Sequence, residues 1–362
     1  MKDQHSNTGA YNGIPARRRG LRILAAACAL TLGSALMAAC ASSNSSSASA
    51  AGGTTTITIG VGGNIFDMPA RIADANGYFK QQGLNVKYVT LTSATGTAAL
   101  QSGSVQFLTD SPNDLFTALA KNIPESAVSL VGSGNPLGLV VSKQFAAAHG
   151  LTSSTPVAQV AAALASSTAG FSSANTKAEA GIYLKAYGVD PTKLKWVSLP
   201  SPAADKAALT SNQIDWFVTS EPIPLELEYS GDGVVVANPL TVPAWSAEQA
   251  GYGLLVVAKN SYLSANPATA KKFVAAIQEA TAYISTHLTD STDSALLTVA
   301  QKTLPGIPAS VLQASLAQVV WPTSGAMSAD DWAKTLAFLD SLGTMPAGTT
   351  ITSKNWTNEY LP

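Results

Sequence analysis

The sequence predicts an α/β protein made of two similar units, and three observations carry that expectation. The stretch Ile57 to Val89 reads as strand, helix and strand, and its end, Gly83-Leu84-Asn85-Val86-Lys87-Tyr88-Val89, returns loosely as Gly188-Val189-Asp190 and, after an insertion, Leu194-Lys195-Trp196-Val197. Leu100-Gln101-Ser102-Gly103-Ser104-Val105-Gln106-Phe107-Leu108 is echoed by Leu209-Thr210-Ser211-Asn212-Gln213-Ile214-Asp215-Trp216-Phe217, with similar residue types at most sites. Short apolar strands also alternate with helical stretches, the pattern of strands joined by crossover helices.

The elements follow in order. Ile57-Thr58-Ile59-Gly60-Val61 alternates as a strand should and runs into Gly62-Gly63-Asn64, where glycine lets the backbone turn sharply or approach a ligand. Asp67 as N-cap and Pro69 in the first turn open a helix that Gly77 ends. A glycine-rich strand-to-helix turn raises a nucleotide site, but neither the dinucleotide fingerprint nor the lysine-containing phosphate loop is complete. Val105 to Thr109 is a strand ending at Asp110-Ser111-Pro112-Asn113, and Val128 to Val131 ends at Gly132-Ser133-Gly134. Ligands of open α/β sheets collect beyond the carboxyl ends of strands, so Asn64, Ser93, Asp110 and Ser133 are expected at a cleft.

In the second unit, Ser172-Ser173-Ala174-Asn175-Thr176 precedes the helix Lys177 to Tyr187. Unpaired N–H groups at that helix start would favour an acceptor, although each serine is equally an ordinary N-cap. The strand from Trp216 ends at Glu221-Pro222, with Glu221 near the place Asp110 holds in the first unit. Gly138 to Lys143 and Gly253 to Lys259 read as outgoing and returning crossing strands, expected to pair as a two-stranded hinge. Helices over Ala268 to His287 and around Ser294 to Thr303, Ser310 to Gln318 and Ala329 to Leu342 are expected to fold back onto the first lobe. The expected division is 54–136 for the first part of lobe 1, 137–259 for lobe 2, and 260–362 for the return to lobe 1 with the C-terminal helices.

Ahead of these, Arg17-Arg18-Arg19-Gly20-Leu21-Arg22 and the apolar run Ile23 to Met37, ending in small residues before Cys40, resemble a bacterial lipoprotein signal peptide. The lipobox is Leu36-Met37-Ala38-Ala39-Cys40, with Met37 where leucine or valine is usual. The apolar run is shorter than the roughly 20 residues of a membrane-spanning helix. The arginines also raise a twin-arginine route, against which Arg22 stands where that signal prefers an apolar residue. Residues 1–39 are therefore expected to be removed, Cys40 lipidated, and 40–53, rich in Ser, Ala and Gly, to act as a flexible tether.

Composition narrows the function. Of the two cysteines, Cys28 lies in the segment to be removed, leaving Cys40 alone and no disulfide, thiol nucleophile or cysteine metal cluster in the body. Removing Lys2, Arg17, Arg18, Arg19, Arg22 and Asp3 leaves 16 basic against 21 acidic residues, a net charge of −5, which excludes a nucleic-acid surface. The mature histidines, His149 and His287, have no nearby Asp or Ser phrase that would make a triad, and two histidines do not build a typical zinc site. No catalytic residue, metal or cofactor is therefore expected.

Taken together, Gly77-Tyr78-Phe79 with Gly83-Leu84-Asn85-Val86, the phrase Leu100 to Phe107, and Leu209 to Pro222 resemble the SsuA/THI5-like, or NMT1, family, whose members serve sulfonate, nitrate, taurine and thiamine-pyrimidine uptake. The resemblance spans roughly Ile57 to Leu288. Gln106 departs from the aspartate usual before that strand, which Asp215 keeps in the second copy. The resemblance implies a periplasmic-binding-protein type II fold, two lobes each with a mixed sheet flanked by helices, closing on a small organic solute. It implies docking on the permease and ATPase of an ABC importer, a monomeric protein, and an extracytoplasmic location at the membrane. Carried onto matching positions, the cleft would be lined by Gly63, Asn64, Asp110, Ser111, Ser133, Ser173, Asn175, Thr176 and Glu221, with Trp245 near the return crossing as a further aromatic wall. Arg71, the only arginine of the mature chain, either forks onto an anionic ligand or pairs with Asp74 at the surface. Asp110 and Glu221 in the cleft disfavour a strongly anionic ligand and suit a neutral or amine-bearing one. A ligand sensor on the same scaffold, or an enzyme like the thiamine-pyrimidine synthases, is the alternative.

Overall fold

The computed structural model describes residues 54–91, 93–288, 294–343, 345 and 348–362. The signal segment, the lipobox with Cys40, the tether and the side chain of Ser93 lie outside the described residues. Among the latter, no helix is long and apolar enough to cross a membrane.

Among the described residues, ten strands form two five-stranded mixed sheets: β1 (Thr55–Val61), β2 (Leu84–Thr90), β3 (Phe107–Asp110), β4 (Glu125–Ser133), β5 (Leu137–Ser142), β6 (Thr168–Phe171), β7 (Lys195–Ser198), β8 (Trp216–Ser220), β9 (Gly233–Ala237) and β10 (Tyr252–Lys259). Their orders are β2-β1-β3-β10-β4 and β7-β6-β8-β5-β9. In each sheet the first three strands run parallel and the fourth, antiparallel to both neighbours, arrives from the other lobe.

The sequence echo has a structural counterpart at the strand starts. Gln106 Oε1 accepts the Thr58 N–H at 2.7 Å while the Gln106 N–H donates to the Thr58 carbonyl at 2.9 Å. Asp215 Oδ2 accepts the Thr168 N–H at 2.7 Å while its own N–H donates to the Thr168 carbonyl at 2.8 Å. An amide oxygen thus does in one lobe what a carboxylate does in the other, which is why the departure at Gln106 leaves the fold intact.

The crossing between lobes differs from the expected pairing of Gly138–Lys143 with Gly253–Lys259. All six residues of β5 are buried, as is most of β10. Apolar strands of this kind sit inside a sheet with both edges paired, and β5 accordingly lies between β8 and β9, β10 between β3 and β4. The two-stranded crossing is built instead from the ends of β4 and β10, where Ser133 faces Tyr252 and the Gly134 N–H donates to the Gly251 carbonyl at 2.9 Å. The chain leaves through Gly134-Asn135-Pro136 and returns through residues 238–251, so β10 belongs to the first sheet and the expected boundary at 259 moves back ahead of Tyr252. Gly253 is required here: a Cβ on it would lie 1.9 Å from the Gly134 carbonyl oxygen.

Period-two alternation distributes the strand residues between cores on opposite faces. Ile57, Ile59, Val61, Val256 and Ala258 face one core of the first sheet, where Phe273 from the helix Pro267–His287 stacks on Phe107 (4.0 Å between centroids) and Phe79 (5.6 Å). Leu255 and Val257 face the other, with Phe116 and with Trp332 from the helix Ala329–Leu342. In the second sheet, Leu139, Val141, Trp216 and Val218 face one way and Val140 and Phe217 the other.

Candidate functional site

A cavity of about 670 Å³ is lined from both lobes, within the 300–1,000 Å³ range of small-molecule sites. Its first-lobe wall starts where β1 gives out. The Gly62 and Gly63 N–H groups donate to the two carboxylate oxygens of Asp67, at 3.0 and 2.7 Å, folding the loop against the helix Met68–Ala75. Asn64 then caps the following turn by accepting the Phe66 N–H at 2.9 Å. At the end of β3, Ser111 caps the helix Pro112–Ala120: its hydroxyl accepts the Asp114 N–H at 3.1 Å and donates to the Asp114 carboxylate at 2.9 Å. The second-lobe wall is the start of the helix Ala174–Ala186, where Ser173 Oγ accepts the Thr176 N–H at 3.1 Å.

Of the residues expected at the cleft, Asn64, Asp110, Ser111, Ser173, Asn175 and Thr176 line this cavity. Four others do not. Gly63 is spent on the loop, at φ +74° with its N–H in the Asp67 carboxylate. Ser133 is held in a bridge to Val320, donating to its carbonyl at 2.9 Å and accepting at 3.2 Å. Glu221 is 1 % exposed and turned away, accepting the Leu225 N–H and the Gln318 Nε2–H, each at 3.1 Å. Its neighbour Ser220 lines the cavity instead. Trp245 is wholly buried in the second-lobe core, its ring 5.5 Å from Tyr183 and its N–H donated to the Glu179 carbonyl at 3.1 Å. An indole that size gains more from complete burial than from a half-wet wall. Arg71 takes neither expected role: its guanidinium lies 3.8 Å from the centroid of the Tyr88 ring, outside the cavity.

The cavity also takes residues that the sequence reading did not place there: Asp67, Asn113, Asp114, Asn135, Glu179, Tyr252 and an apolar wall from Leu91, Leu108, Phe338, Leu339 and Leu342. The consecutive N–H groups of Gly62-Gly63 call for an acceptor such as Asp67, and Ser111-x-x-Asp114 is a capping-box spacing. Glu179 had no such signal, since a glutamate within a helix ordinarily reads as solvated.

Electrostatically the cavity is one-signed. Asp67, Asp110, Asp114 and Glu179 line it, and no lysine, arginine or histidine does among the described residues. Burial pushes the Asp110 carboxyl well above the usual range, the neighbouring Asp114 and Glu125 charges adding to the rise against the Ser111 N–H bond that opposes it. Burial likewise carries Glu179 up to about 8, opposed by the Asn135 amide that donates to it. Asp67 is raised by burial in spite of its backbone hydrogen bonds.

The comparisons with known proteins agree with this architecture. The periplasmic aliphatic sulphonate binding protein SsuA from Escherichia coli superposes with a TM-score of 0.66 at 18% identity, covering 84% of this chain and 99% of that one. The periplasmic nitrate-binding protein NrtA from Synechocystis PCC 6803 gives 0.60 at 16%, covering 82% and 83%, and the desulfurization enzyme DSZB gives 0.57 at 14%, covering 80% and 93%. At such identities these similarities establish the two-lobed periplasmic-binding-protein type II fold. No curated protein matches the sequence. The profile of the family described as NMT1/THI5 like matches residues 67–289, more than half of the sequence, and the chain belongs to that family.

Proposed function

We propose that this protein is an extracytoplasmic solute-binding lipoprotein that captures a small organic molecule between its lobes and delivers it to an ABC importer. The observation that carries the reading is the cavity of about 670 Å³ lined by strand-end loops and helix starts of both lobes. Two bodies joined by a short crossing can hinge, and a solute touching both walls favours the closed arrangement by its differential contacts. The solved relatives named for sulphonate and nitrate binding support this role, and the signal segment with Cys40 supports lipid anchoring after export.

A second reading, catalysis on the same scaffold, is raised by the desulfurization enzyme among the relatives. The described residues lining the cavity offer carboxyl and hydroxyl groups but no thiol, imidazole or amine, which favours holding over turnover. A thermal-shift screen of sulfonates, pyrimidines, amines and carboxylates separates the two. A ligand that binds only the folded state raises the melting temperature, and under our reading it is recovered unchanged. Steady product formation would establish the enzyme reading. Metabolic labelling with palmitate tests the anchor: the wild type takes up label and Cys40→Ala does not.

A further inference from the structure

We propose that the solute held in the cleft is a cation, an amine, amidine or guanidine on a small apolar body, gripped by the carboxyl groups of Asp110 from the first lobe and Glu179 from the second. This rests on the solute-binding reading above and specifies its ligand class.

Asp110 ends β3 and Glu179 sits one turn into the helix Ala174–Ala186, so the two groups approach from opposite walls. Both are more than nine-tenths buried, at 8 % and 3 % exposure. Each has one oxygen engaged: Asp110 Oδ1 accepts the Ser111 N–H at 2.9 Å, and Glu179 Oε1 accepts from Asn135 Nδ2. The second oxygen of Glu179 has no hydrogen-bond donor among the described residues, and the Asp110 carboxyl is otherwise hydrogen-bonded only to the carboxyl of Asp114, an acid on the same cavity wall. Burying a carboxylate without a counter-charge is costly, and buried acids that escape pairing concentrate at functional sites.

The groups facing Asp110 make the deficit larger. Asp114 beside it carries the same charge, as does Glu125 on β4, and Asp67 lines the same wall. On the second wall, the helix start at Ser173–Thr176 attracts acceptors, but a helix N-terminus carries only about half a positive charge. Two carboxyls opposed by that half-charge leave a cation favoured over a sulfonate, while the N–H groups of Ala174 and Asn175 ahead of the capped Thr176 N–H suit a carbonyl or hydroxyl elsewhere on the solute. Leu91, Leu108, Phe338, Leu339 and Leu342 provide the surface for its apolar body.

Without solute at neutral pH, a proton on Glu179 holds the place of that cation, since burial lifts this carboxyl to about 8, and burial raises Asp110 in the same direction. Binding a cation must then expel that proton. This gives a signature that a merely hydrophobic fit would lack.

The test is calorimetry and thermal shift at pH 7 on the full mature chain with matched amines, alcohols and sulfonates bearing straight, branched and aromatic bodies. The expected result is that amines bind, alcohols and sulfonates of the same body do not, and the heat varies with buffer ionisation enthalpy because protons are released. Asp110→Asn and Glu179→Gln should each weaken amine binding by about tenfold to a hundredfold, as expected for loss of a hydrogen bond to a charged group, with circular dichroism and cooperative melting retained. Sulfonates or alcohols binding more tightly than the matched amines would overturn this inference and leave the solute-binding reading standing. Amine binding unchanged in both variants would also overturn it, as would silence from all three classes, whereas the solute-binding reading falls only if the pyrimidines and carboxylates of the wider screen are silent too.

Discussion

At the scale of single residues, the second copy of the internal echo explains the most about what could be read from sequence. The pairing of Gln106 with Asp215 is visible in the aligned phrases, and both side chains accept the N–H of the threonine on the neighbouring parallel strand. Asp215→Asn should therefore be tolerated, keeping the acceptor, whereas Asp215→Ala should cost about 1–3 kcal/mol by stranding the Thr168 N–H. Urea unfolding of the two variants measures that difference. The same register aligns Ser220, rather than Glu221, with Ser111, so the misplacement of Glu221 came from reading residue type ahead of register. Trp245 and Glu179 were not legible: an indole near a crossing suits a pocket wall and a core equally, and only packing decides between them.

At the scale of elements, the positions of strands along the chain followed from alternation and apolar runs, but strand partners did not. The segments Gly138–Lys143 and Gly253–Lys259 are similarly apolar, yet each is buried on both faces within its own sheet, so the ends of β4 and β10 provide the crossing. Gly253 is the point where the crossing tolerates no side chain. Gly253→Ala should force the segments at Gly134 apart, weakening solute affinity and lowering the melting temperature together, as read by calorimetry and differential scanning. A helix-packing change gives the contrast. Phe273→Ala removes the ring stacked between Phe79 and Phe107 and should cost about 3–5 kcal/mol of stability, while any solute affinity retained by the folded fraction stays near the wild type.

At the scale of the whole molecule, the two-lobed fold was legible because a duplicated unit leaves its trace in spacing. The acidity of the cleft was only partly so, since Asp110 was placed and Glu179 was not. That acidity sets the pH dependence. Glu179 and Glu221, whose ordinary value is 4.5, are each carried to about 8 by burial, so the folded state holds protons that the unfolded chain releases. Stability of the empty protein should be greatest in mild acid, fall as pH rises from about 4.5 toward 8, and level off above, where both states are deprotonated. Melting temperatures across that range check the sign, and Glu179→Gln should flatten the slope. The central claim is reversible capture of a solute without turnover. Equilibrium dialysis of the mature protein against the best ligand of the thermal-shift screen, followed by mass analysis of both compartments, tests it most directly. The account predicts saturable retention and full recovery of the unaltered ligand after release; progressive conversion of the ligand, or no retention above a denatured control, would contradict it.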